Sequence, residues 1–201
     1  MPELQAARGA SLIASETTGR STTGASPGDG RRPRRLSAPA LAFTVAGLAL
    51  LVDQVTKQIA VLQLTGHDPV PLLGSFLQLR LLRNPGAAFS AGSSLTPAIS
   101  VVAVVAAVVV AVYARRVRHR GWAVALGLLL AGVTGNLVDR LFRAPAPFRG
   151  HVVDFLALPN WPVFNVADIC IDVAGALLVL LLLRGIRLDG SRHGEPTRDQ
   201  T

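Results

Sequence analysis

Four long apolar stretches, separated by short polar links, dominate the middle of this chain. The first runs from Ala38 to Val52 and meets Asp53. The second, Leu95 to Ala114, carries no charge. The third runs from Trp122 to Val138 and ends on Asp139. The fourth runs from Val163 to Leu183 and is interrupted by Asp168 and Asp172. About 20 apolar residues in a helix cross a hydrocarbon core of roughly 30 Å. The second and fourth stretches reach that length alone; the first and third reach it only if their helices continue into the polar residues that follow. A chain of 201 residues is too short to wrap four such helices in amphipathic cover. The pattern therefore predicts an all-α membrane protein with four transmembrane helices. Between helices one and two, Pro71 to Leu81 alternates partly between apolar and polar, as a strand does, and leads to a Gly-rich turn at Asn84. A small extracytoplasmic β-sheet is expected there, either a cradle over a cleft that grips an extended peptide by its edge or a simple capping hairpin.

The ends read differently. Residues 1–37 are rich in Ser, Thr, Gly, Pro and Arg without apolar periodicity, and residues 185–201 are similar. Both are expected to be disordered cytoplasmic tails flanking a membrane domain over 38–184. Arg31, Arg32, Arg34 and Arg35 ahead of an apolar run also suit a cleaved leader, but the tail is long for one and no small-residue cleavage site closes the run. Composition agrees with the membrane reading: 50% of residues are apolar and 16% charged. The single Cys excludes a disulfide framework or a Cys-rich metal site. The net charge of +8 would suggest nucleic acid in a soluble protein; here the basic residues punctuate apolar runs, so a bilayer is the expected partner and nucleic acid is not. Six Arg lie in the first tail, four in the link Arg115–Arg120 and four from Arg184 to the end, so 14 of the 20 basic residues fall on one side. The positive-inside rule then places both termini in the cytoplasm and the two longer connections outside.

On that topology the polar residues gather at one level. Asp53 and Lys57, four apart, share a face at the outer end of helix one. Asn136, Asp139 and Arg140 close helix three. Asn165, Asp168 and Asp172 form a stripe along helix four, with Asp168 roughly 8 Å inside its outer end. Asp154 lies in the connection between helices three and four, and the cytoplasmic halves are almost free of charge. An ionisable group in a membrane helix costs about 2.5–3.5 kcal/mol or more and usually faces a partner or a cavity. A polar cleft open to the outer leaflet is expected. Asp53 with Lys57, and Asp139 with Arg140, read as braces, because a carboxylate beside a cation stays ionised. Asp154 and Asp168 stand in apolar surroundings instead. If they meet, they share a proton and suit acid/base hydrolysis; the residues alone leave their meeting open.

Other chemistry is weaker. Cys170 reads as packing, and Ser90, Ser93 and Ser94 lack a His–Asp pair nearby. His67, His119, His151 and His193 have no zinc spacing, and hydrolysis by an Asp pair would need no metal and no organic cofactor. His151 reads as a surface residue that could otherwise orient Asp154. Gly86 and Gly92 do not make a phosphate loop, since no Lys-Ser/Thr follows. A proton-linked carrier would need polar groups through the whole depth of the membrane, and a scaffold would use the polar layer only for helix association.

Five motifs in order carry a resemblance: Asp53-Gln54-Val55-Thr56-Lys57, Asn84-Pro85-Gly86-Ala87-Ala88-Phe89-Ser90, Gly135-Asn136-Leu137-Val138-Asp139-Arg140-Leu141, Val152-Val153-Asp154-Phe155 and Phe164-Asn165-Val166-Ala167-Asp168. Over about residues 40–184 the chain resembles the bacterial lipoprotein signal peptidases (signal peptidase II). The resemblance implies a membrane aspartyl endopeptidase of the bacterial cytoplasmic membrane, acting near its outer face. Its substrates would be diacylglyceryl-modified prolipoproteins, cut just before the lipidated Cys. The catalytic pair would fall on Asp154 and Asp168, with Asp53, Lys57, Asn84, Asn136, Asp139, Arg140 and Asn165 in support; a monomer is expected. The stretch Phe142 to Arg149, with Pro145 and Pro147, is longer than the family usually has.

Overall fold

The computed structural model describes residues 36–86 and 96–192. The elements, in order, are helix α1 (Ala38–Leu64), strands β1 (Val70–Leu73) and β2 (Leu77–Asn84), helices α2 (Thr96–Arg116) and α3 (Arg120–Phe142), strand β3 (Val152–Ala157) and helix α4 (Val166–Leu183). All four helices are long and apolar enough to cross a membrane. As anticipated, α1 and α3 gain their length by running on through Asp53, Lys57, Asp139 and Arg140. Ser37 starts α1 by accepting a hydrogen bond from the Ala40 N–H, with a proline in the first turn where no N–H is needed.

The bundle is inside-out relative to a soluble core. Large apolar side chains point outward: Leu62, Val102 and Leu183 are 68%, 67% and 82% exposed. The interior is built from small ones, with Ala42, Ala114, Ala123, Ala125 and Ala174 fully buried. Without a hydrophobic drive between helices in lipid, close backbone approach supplies the packing energy. Helix α3 packs against each of the other three, and its glycines permit this. A Cβ on Gly132 would stand 2.5 Å from the Ala167 carbonyl oxygen of α4 and 2.6 Å from Ile171 Cγ1. Gly132→Ala is therefore expected to cost about 1–3 kcal/mol, read as a lower unfolding temperature in detergent. Gly47→Ala, with nothing within 4 Å of the new methyl group, should leave that temperature unchanged or raise it through helix propensity.

The sheet is antiparallel in the order β1-β2-β3. Two strands come from the expected link between α1 and α2. The third, β3, comes from the connection between α3 and α4, which the alternation in the sequence did not identify as a strand. Val152–Phe155 is a continuous buried run, and a strand buried on both faces loses the period-two pattern. β2 and β3 pair Asn84 with Val152, Arg83 with Val153 and Leu82 with Asp154.

Helix α4 begins later than its apolar run. Val163 and Phe164 precede it, and Phe164 forms an antiparallel bridge with Leu156. Asp168 thus lies in the first turn, not about 8 Å inside the helix, and Asn165 is the cap rather than part of a helical stripe. The opposite end of the bundle is closed by residues from the expected tail. The Arg118 and His119 N–H groups both donate to the Leu188 carbonyl, and the Trp122 indole N–H donates to the Ile186 carbonyl at 3.0 Å. Residues 185–192 are therefore folded back on the α2–α3 link, because an indole N–H held at a helix start needs an acceptor.

Candidate active site

Two buried polar clusters meet where α1, α3, α4 and the sheet converge. The first is centred on Lys57, which has no exposed surface. Its ammonium donates to Asp53 Oδ2 at 3.0 Å, Asp139 Oδ2 at 2.9 Å and Asn136 Oδ1 at 3.0 Å. Three donors meet three acceptors, so the buried cation is fully satisfied. Asp139 also accepts from Arg143 Nε at 2.6 Å, one turn along the same helix. Lys57, Arg143, Asp53 and Asp139 form a charge-neutral set.

Those carboxylates also grip backbone. Asp53 Oδ1 accepts from the Ala167 N–H at 2.8 Å, fixing the first turn of α4. Asp139 Oδ2 accepts from the Val153 N–H at 3.2 Å, fixing β3 one residue before Asp154. The brace between Asp53 and Lys57 is present as expected; that between Asp139 and Arg140 is not. Consecutive helix residues do not face each other. Arg140 turns the other way and donates to the Asn136 and Gly86 carbonyls at 3.1 and 3.2 Å, tying α3 to the turn after β2.

The second cluster holds Asp154 and Asp168, and the chain path brings them together. After β3 the backbone doubles back through the Leu156–Phe164 bridge, which delivers Asn165 beside β3 as the cap of α4. Asn165 and Asp168 form a capping box: Asn165 Oδ1 accepts from the Asp168 N–H at 3.0 Å, and Asp168 Oδ2 from the Asn165 N–H at 3.1 Å. The amide of Asn165 then donates to Asp154 Oδ1 at 2.6 Å. Asn84 donates to Asp154 Oδ2 at 3.2 Å, and Asn136 to Asp168 Oδ1 at 2.8 Å. Every carboxyl oxygen of the two acids has one donor and keeps a lone pair free.

Both acids line one cleft of about 650 Å³, with Asn84, Asn136 and Arg140 on its polar side and Leu158, Trp161 and Phe164 on its apolar side. Asp154 is 2% exposed. Burial, followed by the charge of Asp168, raises its pKa from the usual carboxyl value to about 6, against the pull of the Asn165 and Asn84 hydrogen bonds and of Lys57. Two carboxyls on the wall of one cleft, one of them with a raised pKa, can divide the roles of proton acceptor and proton donor.

Several contributors were not visible in the sequence pattern. Gln54 bridges Asp53 and the Gly135 carbonyl, and a Cβ on Gly135 would stand 2.5 Å from Asp53 Oδ2. Arg143 is the second cation on Asp139. Asp172, already placed with Asp168 on one stripe of helix four by the sequence, is at the cleft wall a turn along α4. The G-x-x-G spacing of 132 and 135 was the available signal for close packing here. Cys170 is buried as packing, and the donors on Asp154 are Asn84 and Asn165 rather than His151. Ser90, Ser93, Ser94, Gly92 and His193 lie outside the described residues. Among the described residues, no group of three or more His, Cys, Asp or Glu is placed to hold a metal ion.

Comparison with known proteins assigns the family. The profile described as Signal peptidase (SPase) II matches residues 45–184. A lipoprotein signal peptidase of Rhodococcus jostii is 48% identical over 154 residues, covering 77% of this chain and 78% of that one. One from Streptomyces coelicolor is 45% identical over 154 residues, covering 77% and 76%. A solved bacterial membrane enzyme superposes with a TM-score of 0.66 at 25% identity, covering 78% of this chain and 94% of the other. A second gives 0.63 at 26% identity, covering 71% and 92%. With its four membrane-crossing helices, the chain is a multi-pass membrane peptidase and belongs to the signal peptidase II family.

Proposed function

We propose that this protein is an aspartyl endopeptidase that removes the signal peptide from diacylglyceryl-modified prolipoproteins, cutting just before the lipidated Cys, with Asp154 and Asp168 as the catalytic pair. The observation that carries the reading is the single cleft lined by both carboxyls, one of them buried with a pKa raised to about 6. One Asp, ionised, takes a proton from water as the water oxygen attacks the scissile carbonyl carbon. The other, protonated, donates to the carbonyl oxygen. As the tetrahedral intermediate collapses, the C–N bond breaks, the Asp that took the water proton gives it to the leaving amine, and the other Asp takes back the proton from the hydroxyl that becomes the product carbonyl. The Asn side chains hold the carboxyls in register, and Arg140 fixes the turn at Gly86 on the cleft wall. The Lys57 set acts through position, locking the backbones that carry the two acids.

The topology that fits this reading has both tails in the cytoplasm and the cleft at the outer face. The bond from Arg120 to the Leu36 carbonyl and those from Arg118 and His119 to Leu188 gather the basic ends of the helices at one end, and the sheet lies with the other. A lipid-anchored Cys holds its peptide bond at that interfacial depth. One chain holds the whole cleft, which supports a monomeric enzyme.

The discriminating assay compares a lipidated and an unlipidated precursor in detergent or vesicles. Cleavage of the lipidated one alone supports the reading; equal cleavage of both removes the diacylglyceryl requirement. The pH profile supplies a second check. The pair needs one proton, so kcat/KM should fall as pH rises through about 6, where Asp154 loses it. Asn84 stabilises the charged form of Asp154, so Asn84→Ala should move that limb to higher pH. A limb that moves down or stays fixed contradicts Asp154 as the titrating group.

A further inference from the structure

The strand that presents Asn84 to the catalytic cleft presents Arg83 to the other face. Successive side chains on a strand point to opposite sides of the sheet, and directly paired residues point to the same side. Asn84, Val152 and Asp154 accordingly line the catalytic cleft. Arg83, His151 and Val153 line a separate cavity of about 160 Å³, completed by Arg143 and by Val61 of α1. Two guanidinium groups and an imidazole thus face one small space.

The charges there are not balanced. Asp139 engages Arg143 through Nε, which holds that side chain in place and leaves the terminal nitrogens of the guanidinium without an acceptor among the described residues. Asp139 is also committed to Lys57, as is Asp53. Among the described residues no carboxylate lies within ion-pair distance of Arg83. Arg forks match the paired oxygens of a phosphate, and a ring N–H from His151 adds a third donor. Val61 lies in the last turn of α1 and Arg143 caps the end of α3, so the cavity sits at the ends of two helices long enough to cross a membrane, the level at which an apolar core of about 30 Å gives way to headgroups.

The structure assigns this cavity as a phosphate-binding site, separate from the peptidase cleft, for the phosphoester of an anionic phospholipid or a free phosphate ion. It does not depend on which residues cut the substrate. The test uses the full chain in phosphatidylcholine vesicles containing a minor fraction of phosphatidylglycerol, with retained lipid measured by native mass spectrometry. Wild type should retain phosphatidylglycerol in preference to phosphatidylcholine. Arg83→Gln should lower that retention about fivefold, the effect of one cation near a membrane surface, and Arg83→Gln with His151→Gln should lower it further. Arg83→Lys should recover part of it, and unfolding temperatures should stay at the wild-type value. Excess inorganic phosphate distinguishes the sources: competition assigns the site to the phosphate group alone, and no competition assigns it to the lipid headgroup as a whole. Equal retention of the two lipids by wild type, or equal phosphatidylglycerol retention by wild type and Arg83→Gln, overturns the proposal.

Discussion

Asp154→Asn and Asp168→Asn should each lower the rate of signal-peptide cleavage by about 10²–10⁴-fold, the usual contribution of a positioned acid or base, while leaving a folded, membrane-inserted protein. In the Asp168→Asn variant the new amide can still accept from the Asn165 N–H through its carbonyl oxygen, so the capping box of α4 survives; only the bond from Asn136 meets a donor and must rearrange. The amide introduced by Asp154→Asn has the same difficulty with either Asn165 or Asn84, and one frustrated hydrogen bond costs about 1 kcal/mol. Neither loss unfolds a protein of ordinary stability, so activity and unfolding temperature should separate. The measurement is turnover of a lipidated precursor beside a thermal melt of each variant. Near-normal cleavage in both variants would sink the catalytic assignment, and lost activity accompanied by collapse of the melt would make the pair structural.

Lys57→Met should act on the opposite axis. It leaves Asp53 and Asp139, 1% and 0% exposed, without their shared cation. Removing one partner of a buried ion pair costs about 3–5 kcal/mol when the remaining charge has neither water nor a counter-ion, which is the position of Asp53, while Asp139 keeps Arg143. That is a large share of a typical stability of about 5–15 kcal/mol. The unfolding temperature in detergent should fall steeply, and activity with it, since Asp53 and Asp139 hold Ala167 and Val153 beside the two acids. Adding Asp53→Asn should restore part of the loss: the amide carbonyl introduced there can still accept from the Ala167 N–H, and a charge that needed Lys57 is gone. A Lys57→Met variant that melts near wild type would mean that the set does not brace the fold.

These two expectations rest on features of different legibility. The four helices were readable from runs of apolar residues, because a helix facing lipid on one side and small residues on the other is apolar all round. The cluster of Asp, Asn, Lys and Arg at one end of the bundle was readable for the same reason, since polar groups in such runs are costly and few. The i, i+4 geometry of Asp53 and Lys57 was legible because a single helix fixes it. The expected pairing of Asp139 with Arg140 failed on that local level, where adjacent residues diverge around the axis. The third strand and the late start of α4 escaped the hydrophobic pattern, because burial in a strand and burial in a membrane helix look alike in sequence.

The sequence by itself determined the number of membrane-crossing segments, the polar layer they share and, through its motifs, the family. Only the tertiary structure decided which polar groups meet. Lys57 bridges two helices; the return of the chain after β3 sets Asn165 between Asp154 and Asp168; the parity of β2 sends Asn84 and Arg83 to different cavities. Each of those contacts depends on the packing of distant segments, and a linear pattern encodes the faces of single elements but not the distances between them.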